Sequence, residues 1–129
     1  MLKRYTNLRA LLLITLASAL TALAADATGT WTGDLISQRD GEERKSSAHL
    51  VLKQDGTQIT GTAGPGVDEQ HPILKGKIEG SKLTFEVERE GGVISFVLTQ
   101  EGDEIKGDIT MQRDSGTRTA KLAVKRQKN

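Results

Sequence analysis

The chain has 129 residues, 18 Lys and Arg against 17 Asp and Glu, a formal charge of +1 and no cysteine. That length points to one domain, and a fold without disulfides must rest on its core alone. Three of the basic residues fall within the first nine positions, so the remainder carries about −2; this removes the basic patch that nucleic acid or an anionic membrane would require.

The N-terminal segment reads as a leader. Met1 to Arg9 holds Lys3, Arg4 and Arg9 and no acid, Ala10 to Leu20 is apolar apart from Thr15 and Ser18, and Ala22-Leu23-Ala24 ends the segment on small residues. A basic head, a short apolar middle and an A-x-A end form the pattern of a secretory signal peptide cleaved after Ala24. The apolar run is shorter than the ~20 residues that span a bilayer, so no stable membrane anchor is expected after cleavage. The expected compartment is the periplasm or the exterior, and residues 25–129 are expected to form a single β-domain.

Beyond residue 26 the periodicity is two, broken at intervals by Gly and charged turn residues. Eight strands are expected. The first, about 28–38, sets Trp31, Gly33 and Leu35 on one face. The second, about 45–54, alternates Ala48, Leu50 and Leu52 with His49, Val51 and Lys53. Asp55-Gly56 turns into the third, about 57–63, with Ile59, Gly61 and Ala63 together, because Gly accepts the positive φ of a tight hairpin. A loop over 64–71 precedes the fourth, about 72–79, with Leu74, Gly76 and Ile78. The fifth, about 82–89, turns Leu83, Phe85 and Val87 inward; the sixth, about 93–100, Ile94, Phe96 and Leu98. The seventh, about 104–112, carries Ile105, Gly107, Ile109 and Met111, and the eighth, about 117–126, Ala120, Leu122 and Val124.

One unit repeats. Leu52-Lys53-Gln54-Asp55-Gly56-Thr57-Gln58-Ile59-Thr60-Gly61 echoes Leu98-Thr99-Gln100-Glu101-Gly102-Asp103-Glu104-Ile105-Lys106-Gly107 at an offset of 46. A Gly inside a strand lets a curved sheet bend or a neighbour approach closely. Eight antiparallel strands joined by short turns, each with one apolar face, are expected to form an up-and-down meander closed into a barrel, which leaves no open edge. The competing arrangement is a two-sheet sandwich.

Gly29-Thr30-Trp31 resembles the opening of the calycin barrels, the lipocalins and avidins. Trp31-Thr32-Gly33-Asp34-Leu35-Ile36-Ser37 is similar to the avidin first strand W-T-N-D-L-G-S, Ile59-Thr60-Gly61-Thr62 to its third strand, and Pro72-Ile73-Leu74-Lys75-Gly76 to its fourth. The sequence also resembles small exported barrel proteins with a G-x-W-x-G start. The avidin resemblance implies a closed barrel in which Trp31 plugs one end under a basic side chain of the last strand, Arg126 or Lys125. The biotin site does not carry over. Ser37 matches one member of the polar cluster, but Gly33 replaces the Asn that binds the ureido oxygen and Ala63 stands where the binding Tyr would be.

Catalytic and metal chemistry find little support. His49 and His71 are the only histidines, and a metal site would need them to converge with carboxylates; Asp68-Glu69-Gln70-His71 reads as a solvated loop. Ser47 and His49 share a strand face without an orienting acid or an oxyanion hole. Glu86 and Glu88 are paired carboxylates on a face expected to meet water, and Gly64-Pro65-Gly66 lacks the Lys and helix of a phosphate loop. No catalytic residue, cofactor or metal is expected. The expected role is a non-enzymatic barrel binding a small apolar or amphipathic ligand at a rim of Ser37, His49, Ala63 and His71, with room left by Gly33, Ala48, Gly61, Ala63, Gly76, Gly107 and Ala120. The other reading is a filled-core interaction module with a protein partner, working through its surface or the 64–71 loop.

Overall fold

Period-two alternation carries through most of the described residues in the computed structural model, which describes residues 26–113 and 116–128. The expected signal peptide lies outside the described residues. Nine strands follow one another: β1 (Gly29–Arg39), β2 (Glu42–Asp55), β3 (Gln58–Gly66), β4 (Glu69–Pro72), β5 (Leu74–Glu79), β6 (Lys82–Arg89), β7 (Gly92–Glu101), β8 (Glu104–Arg113) and β9 (Gly116–Arg126). No helix occurs among the described residues.

The strands hydrogen-bond in the order β2-β1-β9-β8-β7-β6-β5-β3, and β3 pairs back onto β2. The sheet is therefore a closed eight-stranded antiparallel barrel, with β4 as one extra strand on β3, and the sandwich is not formed. The wall is joined between β3 and β5 by the single ladder pair Gln58–Lys77. Ile78 N donating to Thr57 O at 2.8 Å and Ile73 N donating to Gly61 O at 2.9 Å complete that seam.

The expected faces hold in most strands. Trp31, Leu50, Leu52, Ile59, Leu83, Phe85, Val87, Leu98, Ile105, Leu122 and Val124 are all buried in one cluster. A fully buried side chain of this size contributes roughly 1.5–3 kcal/mol, so the interior face carries the fold. Phe85 and Phe96 stack across β6 and β7 with centroids 4.3 Å apart and planes at 21°, as their direct pairing demands.

Two expectations fail in one region. Residues 64–71 are not a loop: β3 runs on to Gly66, turns at Val67-Asp68 and returns as β4. Polar side chains stitch this hairpin. Gln70 Nε2 donates to Gly66 O at 2.8 Å and to His49 O at 3.1 Å, Thr62 Oγ1 donates to Gln70 Oε1 at 2.7 Å, and Ser47 Oγ donates to Pro65 O at 2.6 Å. The fourth expected strand is split at Ile73, after Pro72, whose ring supplies no ladder donor. A register shift between Leu74 and Lys77, with Lys75 at φ 54°, then breaks the alternation. Leu74 consequently stands 37% exposed rather than inside.

The interior glycines fulfil the expectation of close strand approach and not that of room for a ligand. A Cβ on Gly61 would lie 1.8 Å from Val51 O, and one on Gly107 2.3 Å from Val97 O. The neighbouring strand already occupies that space, as it does at Gly33 and Gly76. These four residues bring strands close and leave no room for a ligand.

Candidate functional site

The barrel has two unlike ends. At one, residues 26–28 lie across the interior and Ala27 is fully buried. Gln54 Oε1 accepts from Ala27 N at 2.8 Å, Trp31 Nε1 donates to Ala27 O at 3.0 Å, and Gln100 Nε2 donates to Asp26 O at 3.0 Å. Arg126 covers this strap. Its Cζ lies 4.4 Å from the Trp31 ring centroid, Nη2 donates to Asp26 O at 2.9 Å, Nη1 donates to Thr28 O, and Nε donates to Asp103 Oδ1 at 2.9 Å. The guanidinium thus meets a ring face and three oxygens, and the end is sealed.

Gln54 and Gln100 hold equivalent places in the two echoing hairpins. Each donates to the carbonyl two residues on, Gly56 O at 3.0 Å and Gly102 O at 3.2 Å. The repeated unit is thereby a clamp with one arm on each side of the strap. Neither glutamine was singled out from the sequence, although the repeat contained the signal.

At the other end the interior is open. An apolar pocket of about 170 Å³ is walled by side chains that include Ala48, Ala63, Val87, Ile94, Phe96 and Met111. Space here comes from the two alanines. A second hollow of about 310 Å³ adjoins it, sharing Leu35, Ile109 and Met111 and reaching Ser37, Arg44, Arg113 and Arg118.

Of the four expected rim residues, Ala63 and His71 line the apolar pocket and Ser37 borders the adjoining hollow. His49 does not join them. It alternates with buried Ala48 and Leu50 and so faces outward on β2. His71 Nε2 lies 3.6 Å from Glu69 Oε2, too long for a hydrogen bond. That carboxylate oxygen is held by Arg89 Nη2 at 2.7 Å. The His71 nitrogen is shielded from solvent and has no hydrogen-bond partner among the described residues. Ser47, on the same expected strand face as His49, donates its hydroxyl to Pro65 O. Among the described residues no three His, Asp or Glu side chains cluster to hold a metal.

The open end carries a feature that sequence reading missed. Counting outward by two from the buried Ala48, Val87, Ile109 and Leu122, the inward-facing positions reach Arg44, Arg89, Arg113 and Arg118. Glu43 and Asp108 take the opposite parity and, with Arg118, line a groove on the outer wall, whereas Glu42 shares the parity of Arg44. The signal was present as an Arg two to four residues beyond the last apolar inward residue of each strand.

The fold and site define a closed β-barrel, plugged at one end and open to an apolar pocket at the other. No family model matches the chain, and no curated protein or solved structure matches it significantly.

Proposed function

We propose that this chain is an exported, non-enzymatic barrel that takes a small apolar or amphipathic molecule into its open end. The carrying observation is the apolar pocket under the mouth, lined by Ala63, Ile94, Phe96 and Met111 among others. Burying an apolar molecule there contributes roughly 25 cal/mol for each Å² removed from water. Drug-sized sites run to about 300–1,000 Å³, whereas a cavity of about 150 Å³ takes up one benzene ring. The pocket therefore suits one ring or a chain of about six carbons. Export is supported by the leader pattern of residues 1–24, and the calycin-like first strand is consistent with a ligand-holding barrel.

The test is an amide and methyl NMR titration of the purified protein with p-xylene, a neutral probe. Saturable shifts at Ala63, Ile94 and Met111, with Trp31 and Ala27 unmoved, are the expected result. No shift at the open end up to the solubility of the probe would overturn the reading.

The interaction-module reading has one observation in its favour. Val67, at the tip of the β3–β4 hairpin, is 72% exposed. Val67→Asp should abolish partner capture on that reading and leave p-xylene binding unchanged on the pocket reading.

A further inference from the structure

The mouth of the barrel is charged in an ordered way. Strands β2, β6, β8 and β9 each place an arginine at an inward-facing position near the open end, Arg44, Arg89, Arg113 and Arg118, with Glu42 one such position beyond Arg44. Arg89 is neutralised locally, because Glu69 lies 2.7 Å from it. The other three line one hollow, together with Ser37 and the apolar floor of Leu35, Ile109 and Met111. No carboxylate lines that hollow among the described residues. The floor is shared with the apolar pocket below. The strand register brings these parts together: Arg44 stands opposite Ser37, and Arg118 opposite Met111.

Such positions are unusual places for cations to serve the fold. An arginine on the outer wall meets water and the acids of neighbouring strands, as Lys121 meets Asp108 at 2.9 Å. Arg44, Arg113 and Arg118 line the same apolar hollow, Arg118 also bordering the outer groove of Asp40, Glu43 and Asp108, so an anion in the hollow meets three guanidinium-bearing side chains. Guanidinium binds carboxylate, sulfate and phosphate oxygens through paired, charge-assisted hydrogen bonds. The hollow of about 310 Å³ gives room for such a head, and the pocket of about 170 Å³ for the body attached to it.

We infer that the open end binds an anionic amphiphile, a medium-chain carboxylate or its sulfate equivalent, with the head held by Arg44, Arg113 and Arg118 and about six carbons of the tail in the apolar pocket. This rests on the pocket reading proposed above and adds the charge of the head to it. Ser37 donates a hydroxyl at the edge of the same hollow, and Met111, unbranched and adaptable, lines the passage between head and tail.

The experiment is a headgroup series on one tail, measured by calorimetry with the purified protein at low and moderate salt. The probes are octanoate, octyl sulfate, 1-octanol and octyltrimethylammonium. The two anions are expected to bind at least tenfold more tightly than the cation, and to weaken as salt rises while 1-octanol does not. Arg118→Glu should cut octanoate affinity by at least tenfold and leave 1-octanol within about twofold. Because Arg118 is exposed, that variant is expected to fold; Arg44→Glu, at a second exposed position, repeats the test on the other side of the hollow. Equal affinity for anion, alcohol and cation, or an Arg118→Glu variant with octanoate binding unchanged, would overturn the inference while the pocket reading stands. Failure of all four probes and of p-xylene to bind would overturn both.

Discussion

The guanidinium carbon of Arg126, the last residue of β9, stands 4.4 Å from the ring centroid of Trp31 near the start of β1, so the two ends of the barrel strand series meet over one buried indole. The contact joins strands already paired, Trp31 lying opposite Arg126 in the ladder. It therefore adds a lid to a wall. The same guanidinium donates to Thr28 O, Asp26 O and Asp103 Oδ1, which ties the N-terminal strap to the β7–β8 turn.

Arg126→Ala removes the cation–π contact, about 0.5–2 kcal/mol, and charge-assisted hydrogen bonds of which each contributes about 1.5–3 kcal/mol when well formed. With the side chain 27% exposed, a total loss of about 2–4 kcal/mol is expected. Arg126→Lys keeps the charge without the planar fork and should recover less than half of it. Urea unfolding followed by the fluorescence of Trp31, the chain's single tryptophan, measures both. A loss under about 0.5 kcal/mol for Arg126→Ala would show that the lid is decorative.

Gln100 is a buried polar side chain whose amide reaches both Asp26 O and Gly102 O. Gln100→Leu keeps the bulk and strips the donors from two acceptors. The expected cost is about 1–3 kcal/mol. Hydrogen exchange should show the strap amides of Ala27 and Thr28 opening before the rest of the barrel. If instead exchange rises uniformly along β7 and β8, the glutamine supports its own hairpin and not the strap.

Much of this fold was legible because its strands obey a single rule. Alternation placed Leu50, Phe85, Leu98 and Leu122 inside, and glycine-bearing turns marked where each strand reverses. The rule failed where the backbone leaves it. Gly64-Pro65-Gly66 reads as a turn, yet it is extended, because Gln70, Thr62 and Ser47 hold its two arms together across positions distant in sequence. Leu74 reads as core and is not, because the irregularity at Lys75 reverses its side. At the open end the error was of another kind. The alternation that puts Ala48 inside puts His49 outside, and it also points Arg44 and Arg118 to the mouth. Those facts follow from the sequence once the strand ends are extended far enough. Ala27 and its clamp could not be found that way, since they depend on a three-residue segment crossing the barrel.

Gly61 and Gly107 of the two echoing hairpins contrast with Gly66 at the end of β3. Gly61 has φ +136°, and a Cβ there would strike Val51 O; Gly107 would strike Val97 O at 2.3 Å. Gly66 has nothing within 4 Å of a built Cβ. Gly107→Ala must push β7 and β8 apart, an overpacking cost of about 1–3 kcal/mol or more. Gly61→Ala adds backbone strain to the same clash. Gly66→Ala should change stability by less than about 0.5 kcal/mol. Thermal melts of the three variants give the order directly, and equal melting temperatures for Gly66→Ala and Gly107→Ala would remove close strand approach as the reason for the repeated Ile-x-Gly.

Acid should loosen the sealed end through Asp26. Its carboxylate accepts from Thr28 N at 2.9 Å, and this bond, with the Thr28 hydroxyl, holds its pKa below the usual carboxylate value against the opposing effect of desolvation, with a lesser contribution from the Arg126 charge. A carboxyl whose folded pKa is lowered binds fewer protons folded than unfolded, so its stabilisation is present above the unfolded value of about 3.9 and is lost as pH falls through the lowered folded value. Asp26→Asn keeps an oxygen for the Thr28 amide and removes the titration. Between roughly pH 5 and pH 2 the variant should lose stability less steeply than the wild type, while above pH 6 it should be the less stable of the two. Parallel slopes across that range would mean that Asp26 does not couple to folding. A steeper slope for the variant would reverse the sign and mean that folding raises the Asp26 pKa.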